Sequence, residues 1–579
     1  MLPIRSGTRA APIMNARPTR PHLPLMVALA ALMLSLLLAN AYPLLDPDEG
    51  RNAEVAREMA VDGDVIVPHL AGMPYLDKPP ALYWLASAGL KLFGNEPWVP
   101  RAPAAVAAAV LLALVVRRGQ RFGGDGFALR AAGLLYTAPL FAVLSAYVIF
   151  DMLLALCVAV VWLGMLSELD ELAPETLPDG TPVGPQEATG DAASARALRR
   201  TLMFAALTAG ILVKGPVMLA WAIGGSLGAA LFTRSRSPLV WLAWWPGWLM
   251  LLGLAGGWFA LATRRFPEYP RYAFLEESLG RMTTNTFHRQ QPFWFAPVVV
   301  IAGALPWSLG TPWSRNVSRE SRAGLGFVAF ALLFFTVSHS KLVTYLLPCL
   351  PMLAYAAAEA WSDPARAKRG AWGLAVVYGA LALVAAAAGW GGLLERVKPA
   401  LDASAATAAK VVAGCFAYVV FRSVMSTLGR QRSAFVGALL FTPVLLLAAA
   451  GTLFGVAGGQ SGAPLARAIE AVGPGAAVRY ESCYSPGTDF LLGRVATLVS
   501  ADGHETTSEY QTRYRETLAR RGQWTALAVT PAGGADVVVL SVMADAAAPA
   551  GFVEFFRDRR FVAFRRDATS SSRGGPAVP

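Results

Sequence analysis

The chain has 579 residues, of which 55% are hydrophobic and only 15% charged, where an average soluble domain carries roughly 25% charged residues. That deficit, with a mean hydropathy of +0.46, excludes an ordinary soluble enzyme and a disordered chain and points to a polytopic α-helical membrane protein. The net charge of +12 resides in short basic clusters between apolar runs, so it reports membrane topology and argues against nucleic acid as a partner.

In chain order, residues 1–23 form a basic cytoplasmic tail with Arg5, Arg9, Arg17 and Arg20. The apolar run Leu25–Ala41 is read as an uncleaved first span, although Ala39-Asn40-Ala41 resembles a signal-peptidase site. A long polar loop, 42–100, follows. Further apolar runs lie near 101–116, 131–148, 151–167, 201–213, 216–232, 240–262, 293–311, 324–337, 345–361, 372–391, 408–421 and 434–455. With the first they make about thirteen spans, some shorter than the roughly 20 residues an untilted helix needs. Arg117/Arg118/Arg121/Arg130, Arg196/Arg199/Arg200, Arg234/Arg236, Arg315/Arg319/Arg322, Arg366/Lys368/Arg369 and Arg422/Arg430/Arg432 then fall in alternate loops, which the positive-inside rule assigns to the cytoplasm. This alternation requires a turn near Tyr147–Asp151 and a break at Lys214-Gly215-Pro216, and it places 456–579 outside. The expected organisation is a membrane domain over 24–455, with a polar cytoplasmic loop at 168–198, then a small α/β periplasmic domain over 456–567. Its strands are predicted at Val495–Val499, Val537–Val542 and Phe561–Phe564, with a helix near Ser508–Arg521; a disordered tail, 568–579, follows. Four cysteines do not make a disulfide framework.

The outer side collects the chemistry. Asp46, Asp48 and Glu49 follow the first span, and Arg51, Glu54 and Glu58 continue at helical spacing, which predicts an amphipathic helix lying at the membrane surface. Lys78 precedes Pro79-Pro80 and an aromatic stretch. Asp151 at a helix start, Lys214, Arg281, His288, Lys341 and Tyr345 fall on the same side. Singly, Lys214 is a snorkelling anchor and Asp151 a helix cap. Carboxylates and cations converging at one membrane face make a functional site instead.

These segments resemble the C-type glycosyltransferases that use polyprenyl-phosphate sugars, in the branch of aminoarabinose transferases and protein mannosyltransferases. The motifs are Asp48-Glu49-Gly50-Arg51; Pro74-Tyr75 with Lys78-Pro79-Pro80, Tyr83 and Trp84; Asp151; Lys214-Gly215-Pro216; Arg281 with His288 and Pro292-Phe293-Trp294; and Ser340-Lys341-Leu342 with Tyr345, Leu347 and Pro348. They cover roughly 24–360. The resemblance implies the C-type glycosyltransferase fold in a bacterial inner membrane, with the active site facing the periplasm. It implies transfer of a sugar, 4-amino-4-deoxy-L-arabinose by this reading, from undecaprenyl phosphate to a lipid A phosphate. Protein O-mannosylation or another cell-envelope transfer is the alternative, and a lipid-linked sugar flippase the competing class. Asp48, Glu49 and Asp151 are the expected catalytic residues. Arg51, Tyr75, Lys78, Lys341 and Tyr345 are expected to hold the donor phosphate, and Tyr83, Lys214, Arg281 and His288 to support the acceptor side. The chemistry requires no cofactor. The sequence does not support a bound divalent metal, because the family's Glu-His pair is here Glu277-Ser278 and the position of its Glu before the motif lysine is Asp77.

Overall fold

The computed structural model describes residues 19–172, 190–280, 290–305, 307–311, 313–314, 316–391, 403–427, 458–527, 534–542 and 547–567. Among them, eight helices are long and apolar enough to cross a membrane. They are α1 (Leu23–Asn40), α4 (Ala102–Tyr136), α6 (Phe150–Glu171), Trp245–Arg265, Arg319–Val337, Val343–Ala360, Pro364–Trp390 and Ala409–Thr427. The chain is a multi-pass membrane protein.

The difference from about thirteen expected spans has local causes. The run 434–455 lies outside the described residues. The run 201–213 is only the second half of α7 (Gly190–Lys214), whose first half is polar. The run 293–311 is divided between the short helices Phe295–Gly303 and Trp307–Gly310. Residues 216–232 form the shorter helix Val217–Thr233. The run 131–148 is split between the end of α4 and α5 (Pro139–Leu144), and Pro139 occupies the first turn of α5. Inside α4 the backbone leaves helical geometry at Gly123 and Gly124, and Gly119 packs against Phe127 and Ala128. The chain therefore reverses there, at φ +74° on Gly124, and α4 is a hairpin of two helices. The turn expected near Tyr147–Asp151 lies between α5 and α6, and α7 stops at Lys214 before Gly215 at φ +81°.

The loop after α1 is not a surface-lying helix. It holds α2 (Asp48–Asp62), β1 (His69–Leu70) paired with β2 (Met73–Pro74), and α3 (Ala81–Phe93). Asp48 and Glu49 in its first turn favour α2 through the helix dipole, and Gly63 in the left-handed conformation ends it. Glu54, Arg57 and Glu58 are buried, since a C-terminal unit covers that face. This unit carries a five-stranded sheet in the order β4-β3-β5-β7-β6. Its strands are β3 (Val478–Glu481), β4 (Thr497–Val499), β5 (Val537–Ser541), β6 (Phe552–Arg557) and β7 (Phe561–Arg566). β3 runs parallel to β4 and β5, whereas β7 is antiparallel to β5 and β6. Helix Pro486–Leu492 packs on α2. Helix Glu509–Arg520 reaches the loop through Gln511, whose Nε2 donates to the carbonyls of Leu70 and Met73 at 3.1 and 3.2 Å.

Candidate active site

A cavity of about 380 Å³ opens between the 42–100 loop and the helix ends. Its walls are apolar and aromatic, with Leu154, Trp221, Phe259, Tyr269, Phe334 and Phe335. Its polar lining includes Lys78, Glu277, Asp77, Lys214 and Tyr345. Lys78 sits in a bend that leads through Pro79-Pro80 into α3, with Pro80 at the helix N-cap. Its ammonium pairs with Glu277, which is carried on the π-helical segment Arg271–Gly280. Lys214, at the C-terminal end of α7, pairs with Asp151 in the first turn of α6 and lies 4.4 Å from the centroid of the Tyr345 ring. The cavity thus presents two ammonium groups, each paired with a carboxylate, at the edge of an apolar chamber. An ammonium has three donors, so each can also bind an arriving anion, and scarce screening water strengthens that contact.

The sequence-predicted residues divide into groups. Lys78, Lys214 and Tyr345 line the cavity, with Asp151 directly behind Lys214. Asp48 is 56% exposed and pairs with Arg51 at 2.6 Å; neither is among the residues lining the cavity. Arg51 Nη1 donates to Thr507 Oγ1, while its Nε is buried with no hydrogen-bond partner. Tyr75 and Tyr83 are buried beside it, their rings edge-on at 6.2 Å, and burial pushes the Tyr75 phenol well above its usual range, so it acts as a neutral hydrogen-bonding group. Lys341 donates to the Gln291 carbonyl at 3.0 Å and lines a separate cavity of about 480 Å³ with Gln290, Pro292 and His339. Arg281 and His288 lie outside the described residues.

Glu49 requires a correction, because its surroundings do not suit catalysis. It is fully buried; Arg101 donates to both its oxygens at 2.8 and 2.6 Å, and the amides of Val148 and Leu45 donate at 3.0 and 3.2 Å. Arg101 also donates to the carbonyls of Ala39, Tyr42 and Pro43. The pair ties the loop to the end of α1 and to the α5–α6 turn. Sequence reading passed over Arg101, yet an arginine opening an apolar run on the outer side contravenes the positive-inside pattern and so signalled a buried partner. Glu277 sits 199 positions from Lys78, and no spacing pattern could connect them.

Among the described residues around Lys78, the carboxylates are already engaged by protein partners. Asp77 Oδ1 accepts from the Tyr272 hydroxyl and from the Tyr510 amide at 2.9 Å, Glu277 is engaged by Lys78, and Ser278 donates its hydroxyl to the Ala273 carbonyl.

Chain course defines a multi-pass α-helical membrane protein, and its fold is one already seen in solved structures. The solved structure of ArnT from Cupriavidus metallidurans bound to undecaprenyl phosphate superposes with a TM-score of 0.76 at 23% identity, over 96% of this chain and 99% of that one. The undecaprenyl phosphate-alpha-4-amino-4-deoxy-L-arabinose arabinosyl transferase of Aeromonas salmonicida is 30% identical over 56% of this chain and 57% of its own length. Its counterpart in Pectobacterium carotovorum is 30% identical over 63% and 65%. The chain therefore matches well over half, but less than two thirds, of these curated relatives. The family model for dolichyl-phosphate-mannose-protein mannosyltransferase matches residues 77–174.

Proposed function

We propose that this chain is an inverting glycosyltransferase of the periplasmic face of a bacterial inner membrane. It moves 4-amino-4-deoxy-L-arabinose from undecaprenyl phosphate to a lipid A phosphate, through a membrane unit over 24–455 and a periplasmic unit over 456–567. The observation that supports this reading best is the aromatic-walled cavity with Lys78 and Lys214 at its edge, which suits an isoprenoid chain ending in phosphate. The leaving group is already anionic, so it departs towards cations rather than towards an acid. Lys78 and Lys214 serve there beside Tyr345, with Arg51, Tyr75 and Lys341 as further donor-phosphate groups outside this cavity's lining, while Glu277 and Asp151 orient the lysines. The acceptor phosphate, with a second pKa of about 6, is a nucleophile at neutral pH. Its oxygen attacks the anomeric carbon as the bond to undecaprenyl phosphate breaks, and one displacement inverts that carbon. Asp48 orients the acceptor and stabilises positive charge at the sugar; with a hydroxyl acceptor it would take the proton.

Purified protein given undecaprenyl-phosphate aminoarabinose and Kdo-lipid A should yield lipid A heavier by one aminoarabinose in the mass spectrum. The mannosyltransferase match over 77–174 favours a second reading, protein mannosylation. Transfer of mannose to a Ser/Thr peptide, with none of either sugar to lipid A, would select it.

A further inference from the structure

The C-terminal unit meets the membrane domain at a strained residue. Thr507 holds φ +58° and ψ +20°, a left-handed backbone that a β-branched side chain rarely adopts. The segment around it is bolted on both sides. The Thr507 amide donates to the His504 carbonyl at 2.9 Å. Ser508, the next residue, caps helix Glu509–Arg520 through the Gln511 amide at 3.2 Å. The Tyr510 amide donates to Asp77, beside Lys78. These contacts fix the helix start, and Thr507 takes the strained conformation at the corner. From there its Oγ1 accepts from Arg51 Nη1, while Asp48 accepts from Nη2. Two corners of the guanidinium are thereby held, and Nε is left buried without a hydrogen-bond partner. Strain of this kind persists where the surroundings over-determine it, and it gathers at sites that need preorganised groups. Simple domain docking would not need it, because Asp46, Glu268 and Gln511 already join the unit to the rest through ordinary contacts.

We propose that Thr507 is a positioning residue: the C-terminal unit spends backbone strain there to aim Arg51 at the donor phosphate, and so forms part of the transferase site. The proposal rests on the reading of Arg51 as a donor-phosphate cation.

The test uses the full-length protein in detergent, with undecaprenyl phosphate binding followed by tryptophan fluorescence and donor KM and kcat measured in the transfer assay. Thr507→Gly accepts the left-handed backbone without strain and deletes the hydroxyl. It is expected to melt no lower than the native chain and yet to weaken undecaprenyl phosphate binding and raise donor KM about threefold to tenfold, the scale of one hydrogen bond to a charged group. Thr507→Ser keeps the hydroxyl and should restore most of that affinity. Thr507→Val keeps the shape and should behave as Thr507→Gly does. Arg51→Ala separates the two layers of the reading. If Arg51→Ala loses donor affinity and Thr507→Gly and Thr507→Val do not, Thr507 is a docking residue and the proposal fails alone. If Arg51→Ala also binds normally, or the native chain does not bind undecaprenyl phosphate, the reading of the site fails and takes the proposal with it.

Discussion

Asp48 and Glu49 are adjacent in sequence and opposite in environment, because one helical step of α2 turns one carboxylate towards solvent and the next towards Arg101. Their substitutions should separate accordingly. Breaking a buried ion pair costs about 3–5 kcal/mol, so Arg101→Ala should lower the melting temperature by many degrees and lose activity only through that loss. Asp48→Asn should leave melting unchanged and cut turnover about a hundredfold, within the range of charge and proton effects in transition states. An Arg101→Ala protein with native melting would show that the pair holds nothing. Lys214 makes the complementary case. Its loss leaves Asp151, 3% exposed, as an uncompensated anion in the cavity wall. Lys214→Ala should therefore weaken undecaprenyl phosphate binding about tenfold or more and destabilise the chain, whereas Lys214→Ala with Asp151→Asn should regain the stability and not the binding. Recovery of both in the double variant would reduce Lys214 to a structural partner. At this scale the sequence revealed which residue types gather on the outer side. The pairing of Lys78 with Glu277 and of Glu49 with Arg101 depends on how distant segments meet.

At the scale of elements, hydropathy and the motifs marked the turn before α6, the break after α7, strands β4, β5 and β7 and helix Glu509–Arg520. It marked α2 wrongly as a surface helix, since an amphipathic pattern does not reveal whether its charged face meets water or another unit. That face meets helix Pro486–Leu492, which brings Asp489 against Glu54, Arg57 and Glu58. Arg57 donates to both oxygens of Glu54 at 2.7 and 2.6 Å and to the Gly493 carbonyl at 3.1 Å. Glu58 accepts from the amides of Ala71 and Gly72. One cation faces three buried carboxyls, and Asp489 Oδ1 has no hydrogen-bond partner, so the cluster holds protons near neutral pH. Burial pushes Glu58 up to about 8, and burial also raises Glu54 and Asp489. A carboxyl with a raised folded-state pKa contributes stability that is complete below its unfolded pKa, about 4.5, and lost as pH rises through its folded value. Melting temperature should therefore fall by several degrees between pH 5 and pH 8, and Asp489→Asn should flatten the slope. A melting temperature that climbs over this window would mean that the carboxylates are ionised in the native state.

For the molecule as a whole, two ends are chemically distinct. At one end Arg118 pairs with Asp170 and Glu320 at 2.6 Å, Arg199 and Arg200 pair with the buried Glu168, and Arg130 donates to Ser362. These are the basic loops whose alternation along the sequence made the topology legible. At the other end lie the 42–100 loop, the cavity and the C-terminal unit. That unit's side of the membrane does not depend on counting spans. The Ser485 hydroxyl and the Gly487 amide donate to Asp46 at 2.7 and 2.9 Å, and Tyr510 and Thr507 meet Asp77 and Arg51, so the unit shares a side with the loop that follows α1. In the proposed orientation, which follows the positive-inside rule, the clustered arginines face the cytoplasm and both of these lie outside. Alkaline phosphatase fused after Pro579 should accordingly be active in a bacterial host, and the same reporter placed at Arg366 should be inactive. An inactive terminal fusion with an active reporter at Arg366 would invert the molecule, place the cavity in the cytoplasm and remove the proposed periplasmic acceptor from its reach.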